Sequence, residues 1–152
     1  MKRRQILGLP ALFLLGQAHG AEITTLEHGG WAATAQSLAG RPAIVHLWGL
    51  SCAPCVRELP RWATFVQQNP SAQMLFIQFE PASVQQVRAA LRRVHLEGAR
   101  HMMVGRFPDE RLQFEVDPDW GGELPRTLLI AADGKRQAFS GTADFAKLKR
   151  WL

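Results

Sequence analysis

The sequence lacks the features of a repeat or multidomain protein. It has no internal repeat, no low-complexity tract and no linker long enough to divide residues 21–152. Its 152 residues suit one domain with one hydrophobic core. Apolar residues make up 47% and charged residues 20% of the chain, which is ordinary globular composition. We therefore expect a single folded domain.

An excess of charge of one sign is also missing once the first twenty residues are set aside. Lys2, Arg3 and Arg4 are the charged residues of that segment. Residues 21–152 then hold 15 basic and 13 acidic side chains, a net charge of +2. This balance offers no case for a nucleic-acid partner.

No apolar run reaches the length of a typical membrane span. The candidate Ile6–Leu15 is short and is interrupted by glycine and proline. It follows a basic start and precedes small residues at Ala18 and Gly20, which is the layout of a secretory signal peptide. We expect residues 1–20 to be a leader and residues 21–152 to work in the oxidising periplasm. An uncleaved leader that anchors the chain to the inner membrane is the alternative.

Cysteine is scarce, and its placement is informative. Cys52 and Cys55 are the only two cysteines, and two residues separate them. A disulfide across so short a loop removes little entropy from the unfolded chain, so a structural staple is disfavoured. The spacing favours a redox or metal-binding pair. An apolar run, 43–48, leads into the pair and a helix-like segment follows it, and the start of a helix favours a thiolate at Cys52.

The periodicity of apolar residues predicts alternating strands and helices. The predicted helices cover 30–39, 53–68, 83–96 and 143–152, and the predicted strands cover 43–48, 73–80, 127–131 and 135–140, with a short strand at 102–104 and a short helix or strand over 110–116. Asp133 and Gly134 form a hairpin turn between the last two strands. The pattern predicts an α/β domain with a mixed β-sheet flanked by helices.

Three motifs occur in a recognisable order behind the leader. They are Trp48-x-x-x-Cys52-Ala53-Pro54-Cys55-x-x-Glu58-Leu59-Pro60, Gly40-Arg41-Pro42, and Leu124-Pro125 followed by a strand and Asp133-Gly134. Together they resemble the thioredoxin superfamily, and within it the exported TlpA/ResA/DsbE-like reductases, over roughly residues 36–150. The resemblance implies a thioredoxin-like fold. The 70 positions between Cys55 and Pro125 fit the mid-chain insert of the TlpA branch.

The resemblance implies a role for four residues. Cys52 is the attacking thiolate, and Cys55 resolves the mixed disulfide that it forms. Glu58, one helical turn after Cys55, tunes the cysteines or accepts their proton. Pro125 is a cis-proline that places a backbone edge beside Cys52 for an extended partner peptide.

Three positions depart from the family pattern. Ser51 stands where a tryptophan is common, which leaves the pair less shielded. Arg126 follows the proline, where it either supplies a cation beside the cysteines or points into solvent. His46 stands six positions before Cys52, where the family has an acidic or amide side chain. It is either a proton relay or a core histidine bonded to the backbone.

These observations predict a periplasmic thiol–disulfide oxidoreductase that reduces exported proteins, such as apocytochrome c. It needs no cofactor or metal beyond the Cys52–Cys55 disulfide, and a membrane thiol transporter of the DsbD/CcdA kind is the expected electron donor. A DsbA-like oxidant is one alternative. A copper(I) carrier that uses the pair with Met102 or Met103 is another. A partner-binding module with a vestigial pair is the third.

Overall fold

The computed structural model describes residues 21–105 and 110–152, so the expected leader over 1–20 lies outside the described residues. The described part contains six strands and five helices. The strands are β1 (Ile23–Leu26), β2 (Ala43–Trp48), β3 (Gln73–Gln78), β4 (Arg100–Val104), β5 (Arg126–Ile130) and β6 (Arg136–Ser140). The helices are α1 (Trp31–Gln36), α2 (Ala53–Gln68), α3 (Val84–Arg93), α4 (Glu110–Val116) and α5 (Phe145–Trp151).

The six strands form one mixed sheet in the order β1-β4-β3-β2-β5-β6. The first four are parallel neighbours, whereas β5 is antiparallel to both β2 and β6. β2 lies inside the sheet, and all six of its residues are buried. This is the central mixed sheet that the sequence predicts, with helices on both faces.

The direction of each crossover decides which face its helix covers. The β2–α2–β3 and β3–α3–β4 connections run towards one edge of the sheet, and the β1–α1–β2 connection runs the opposite way. Because parallel crossovers are right-handed, α2 and α3 share one face and α1 lies on the other. We call the face covered by α2, α3 and α5 the CxxC face, and the face covered by α1 and α4 the back face.

Each face has its own apolar core. Alternate residues of β2 point to opposite faces, so Ile44 and Trp48 join the CxxC-face core while Val45 and Leu47 join the back-face core. On the CxxC face, the rings of Trp62 and Phe76 pack edge to face with centroids 5.4 Å apart. Because helices cover both faces of the sheet, β2 carries apolar side chains on both of its sides.

The sequence-based boundaries agree with the observed elements to within a few residues. Ser83 caps α3 as expected, because its hydroxyl accepts the Gln86 N–H and the Gln86 side chain accepts the Ser83 N–H. The ambiguous segment 110–116 is helical. β1 has no counterpart among the predicted strands. It is a four-residue edge strand in which Leu26 alone is fully buried, so its apolar signal is weak.

The mid-chain segment supplies α3 and β4 between β3 and α4. β4 extends the parallel sheet beside β3 and in turn pairs with β1. In residues 21–105 and 110–152 no helix is both long and apolar enough to cross a membrane.

Phe76 and Phe114 provide a matched test of this core. Phe76 is fully buried in β3, whereas Phe114 on α4 is 64% exposed. We expect Phe76→Ala to lower the free energy of unfolding by about 3–5 kcal/mol, because it removes a large buried ring and leaves a cavity. Phe114→Ala should change it by less than about 0.5 kcal/mol. Urea unfolding followed by tryptophan fluorescence measures both, and equal losses would contradict the described core.

Candidate active site

The two cysteines lie where β2 gives way to α2. Residues 49–51 follow the end of β2, and Cys52 is the N-cap of α2 with an extended backbone. The Cys52 Sγ accepts the Cys55 backbone N–H at 3.3 Å, and the Cys52 carbonyl accepts the Val56 N–H. Pro54 fits the first turn of the helix because its missing N–H would have no helical partner. The first sulfur therefore sits at the positive end of the helix dipole.

The two sulfurs are bonded to each other but differ in their exposure. Cys52 and Cys55 form a disulfide with Cα atoms 5.2 Å apart. Cys52 is half-buried, whereas Cys55 is fully buried in the CxxC-face core. Cys52 is therefore partly accessible to a partner, while Cys55 is protected.

Glu58 is a buried carboxylate one turn after Cys55. Only 3% of it is exposed. One of its oxygens accepts the Trp62 indole N–H at 3.0 Å, and the other accepts the backbone N–H of Ala143. These two donors satisfy both oxygens of a polar group that would otherwise be costly to bury. They also hold the Glu58 carboxyl group in a fixed position on the buried side of α2.

His46 lies in β2 on the same sheet face and is completely buried. Its Nδ1 is 3.1 Å from the Thr127 hydroxyl on β5, and its Nε2 is 3.9 Å from the Glu58 carboxylate. Its ring lies against Trp62 at a centroid distance of 4.3 Å. Nδ1 is therefore hydrogen-bonded to a side chain and not to the backbone, whereas Nε2 has no hydrogen-bond partner among the described residues.

Burial keeps His46 neutral. Removal from water lowers the pKa of His46 from 6.5 to about 3. The contact with Glu58 at 3.9 Å is consequently between a carboxylate and a neutral imidazole, and it is not an ion pair at neutral pH. Three side chains thus form a small polar cluster inside the core: His46, Glu58 and Thr127.

Pro125 immediately precedes β5, and the Leu124–Pro125 peptide bond is cis. β5 runs antiparallel to β2 with Leu47 opposite Arg126, so Pro125 lies at the end of the sheet where β2 leads into the cysteine loop. The Pro125 carbonyl accepts the Gly141 N–H at 2.8 Å. The fold thus brings the two distant motifs to the same end of the sheet.

Arg126 is buried and balanced by carboxylates. Its guanidinium donates to Asp117 at 2.7 Å, to Glu123 at 3.2 Å and to the Ser140 hydroxyl at 2.8 Å. The expectation of a free cation, either beside the cysteines or in solvent, is therefore corrected. The side chain ties the segment before β5 to α4 and β6, because Asp117 and Ser140 lie at the ends of these two elements.

Glu80 is a residue of the site that the sequence analysis missed. It is two positions beyond the end of β3, and its carboxylate accepts both the backbone N–H of Ser51 at 2.9 Å and the Ser51 hydroxyl at 2.6 Å. Ser51 itself is exposed. The available signal was that parallel strands β2 and β3 end at the same edge of the sheet, which places an acidic residue after β3 near the cysteine loop.

The two methionines considered as copper ligands are core residues. Met102 and Met103 are adjacent in β4 and point to opposite faces of the sheet. β3 separates their strand from β2. Within residues 21–105 and 110–152, no group of three or more histidine, cysteine, aspartate or glutamate side chains is placed to hold a metal ion.

No protein-family model and no curated protein matches the chain, whereas solved structures do match it. A secreted disulfide oxidoreductase of Mycobacterium tuberculosis homologous to E. coli DsbE aligns at a TM-score of 0.61 and 19% identity, over 76% of this chain and 83% of that one. A DsbF homologue from Corynebacterium diphtheriae gives 0.64 and 13%, over 76% and 73%. A thioredoxin-family thiol:disulfide interchange protein from Chlorobium tepidum gives 0.62 and 19%, over 77% and 81%.

At these identities the likeness establishes the fold, which is thioredoxin-like as the motifs predict. A thioredoxin-like fold that carries a CxxC disulfide at the start of a helix is the architecture of a thiol–disulfide oxidoreductase.

The neutral state of His46 predicts how stability depends on pH. Between pH 6.5 and about 3 the unfolded chain binds a proton at His46 that the folded chain does not, so acid favours unfolding. One such histidine costs about 2 kcal/mol between pH 7 and pH 5. We expect His46→Gln to remove this part of the pH dependence in urea unfolding. Burial also lowers the pKa of His101, so a smaller dependence of the same sign remains.

His95 supplies the control for this measurement, because its side chain is exposed. His95→Asn, which suits the left-handed backbone at this position, should leave the loss of stability between pH 7 and pH 5 as it is in the wild type. An unchanged loss in His46→Gln would contradict the assignment of a neutral, buried His46.

Proposed function

We propose that this protein is an exported thiol–disulfide oxidoreductase that acts as a reductase of disulfides in other exported proteins. The single observation that carries the proposal is the asymmetry of the pair, with a half-buried Cys52 at the helix start and a fully buried Cys55 behind it. This arrangement lets one sulfur meet a partner and the other complete the exchange.

The exchange is a transfer of two electrons. The Cys52 thiolate attacks one sulfur of the partner disulfide, forms a mixed disulfide, and releases the second partner sulfur as a thiol. Cys55 then loses its proton and attacks the Cys52 sulfur. The products are the Cys52–Cys55 disulfide and a partner that has gained two electrons and two protons.

Glu58 supports the second step as a proton acceptor. Cys55 is buried, so its proton cannot pass directly to bulk water. The carboxylate lies one turn away on the same helix and is held by Trp62 and Ala143. A fixed, water-excluded base of this kind lowers the barrier to forming the attacking thiolate.

His46 can accommodate both protonation states of Glu58 without carrying charge. When Glu58 is ionised, a proton on Nε2 faces the carboxylate and Thr127 donates its hydroxyl to Nδ1. When Glu58 is protonated, the Nε2 lone pair can face the acid and Nδ1 donates to Thr127. We therefore assign His46 as a positioning residue that follows the proton on Glu58 by exchanging tautomers.

The partner peptide is assigned to the backbone around Pro125. Pro125 lies at the same end of the sheet as the cysteine loop, and its own carbonyl is already bonded to Gly141. An extended segment that pairs with the preceding backbone would lie alongside Cys52.

Export and electron supply complete the proposal. Residues 1–20 have the layout of a leader, and one of the similar solved structures is of a secreted protein. A reductase in an oxidising compartment has to be re-reduced after each turnover. A membrane thiol transporter of the DsbD/CcdA kind is the proposed donor, and apocytochrome c is a candidate substrate.

The Cys52→Ser and Cys55→Ser variants should differ in the amount of mixed disulfide that they accumulate. Cys55→Ser should accumulate mixed disulfides with exported proteins, because the second step is blocked. Cys52→Ser should accumulate few or none, since its remaining sulfur is buried. Non-reducing electrophoresis of cell extracts measures both. Absence of trapped species in Cys55→Ser would favour a partner-binding module with a vestigial pair.

Glu58→Gln should slow the second step while it preserves the shape of the side chain. Starting from protein that carries glutathione on Cys52, we expect glutathione release at neutral pH to be slower by roughly 10²-fold, a typical contribution of a positioned base. Glu22→Gln is the control, because Glu22 is exposed at the edge of the sheet. A release rate equal to that of the wild type would rule out the assigned role of Glu58.

The direction of the reaction depends on the reduction potential of the pair. We expect residues 21–152 to equilibrate with dithiothreitol buffers near the thioredoxin value of roughly −270 mV. A value near roughly −120 mV would instead indicate a disulfide-forming oxidant of the DsbA kind.

A further inference from the structure

The loop that leads into Cys52 is wrapped around the carboxylate of Glu80. One oxygen accepts the Ser51 backbone N–H at 2.9 Å, and the other accepts the Ser51 hydroxyl at 2.6 Å. Gly49 completes the contact, because a Cβ atom at this position would lie 2.3 Å from the Glu80 carboxyl group. The loop residues on both sides of Leu50 are therefore fitted to one acidic side chain.

We propose that Glu80 is a positioning residue that favours the disulfide form of the Cys52–Cys55 pair and so makes the protein a stronger reductant. This inference rests on the exchange reaction proposed above. It has two physical parts, of which one is geometric and the other electrostatic.

The geometric part follows from the place of Ser51 in the chain. Ser51 directly precedes Cys52, so its two bonds to Glu80 fix the backbone from which the first sulfur extends. When the disulfide is reduced, these bonds still hold Cys52 close to Cys55. A dithiol that is already ordered loses less entropy when the S–S bond closes, so the bonds to Glu80 favour the disulfide.

The electrostatic part follows from the charge of Glu80. The start of α2 favours a thiolate at Cys52 and so stabilises the reduced pair. A carboxylate hydrogen-bonded to the preceding residue acts against that thiolate. Pairs whose reduced form is stabilised are oxidants, so opposing this stabilisation keeps the pair reducing.

The test compares equilibrium constants of the purified protein, residues 21–152, with glutathione. Glu80→Ala removes both the bonds to Ser51 and the negative charge. We expect it to shift the equilibrium roughly tenfold towards the dithiol, about 30 mV for a two-electron couple. Glu80→Gln removes the charge but keeps an oxygen that accepts from Ser51, so its shift should be smaller. Ser51→Ala removes one bond and keeps the charge, and it should also shift the equilibrium by less than Glu80→Ala.

Two further variants make the result specific. Gly49→Ala should displace the Glu80 carboxylate and reproduce most of the shift while Glu80 is still present. Glu22→Ala, at an exposed position, should leave the equilibrium constant within twofold of the wild type.

At a fixed pH, iodoacetamide should alkylate reduced Cys52 faster in Glu80→Gln than in the wild type, since a larger fraction of Cys52 is thiolate.

An equilibrium constant within twofold of the wild type for both Glu80→Ala and Gly49→Ala would overturn the proposal, as would a shift towards the disulfide. Equal alkylation rates in Glu80→Gln and the wild type would overturn its electrostatic part. These outcomes are distinguishable from failure of the proposed reductase. That failure would be seen in the reduction potential of the wild type. The role of Glu80 is tested by the ratio of the variant's equilibrium constant to that of the wild type.

Discussion

The pairing of β2 with β3 on one side and with β5 on the other is the interaction on which the site depends. Each of these strands is followed or preceded, at the same end of the sheet, by one component of the site. β2 leads into Cys52, β3 leads to Glu80, and β5 is preceded by Pro125. A shift of one residue in either register would turn the alternate side chains of a strand to the opposite face and separate these components. The strand pairing that stabilises the central sheet therefore also sets the geometry of the cysteine loop.

The core of the CxxC face combines apolar packing with a few polar groups whose hydrogen bonds are supplied by neighbouring elements. Glu58 is stabilised by a donor from α2 and by a donor at the start of the α5 region, and His46 by Thr127 on β5. Burial of such groups is unfavourable unless they are paired, so they stabilise the fold less than apolar residues of the same size would. Glu58 lies one helical turn after Cys55, where in the proposed exchange it accepts the proton that the buried Cys55 thiol releases.

The two charged clusters at this end of the sheet act on different segments. Glu80 contacts the loop before Cys52, and the Arg126 cluster contacts the segment before Pro125. Arg126 is buried with Asp117 and also pairs with the exposed Glu123, so its charge orders the backbone and is not presented to a partner. The segments on either side of the proposed binding edge are thus fixed by separate electrostatic contacts.

The sequence by itself determined the α/β class with a mixed sheet, most of its elements and the CxxC pair at a helix start, and the resemblance of its motifs predicted the thioredoxin-like fold. The elements depend on periodicity, caps and turns within a few neighbouring residues, for which the apolar run 43–48 and the cap at Ser83 are examples. Only the tertiary structure decided the partners of His46 and Ser51, which are 81 and 29 positions away in the chain. Such contacts depend on the strand register and on which face each crossover helix covers. Neighbouring residues in the sequence do not specify either of these. The same reason explains why Arg126, next to the conspicuous Pro125, is bound to carboxylates and is not a free cation.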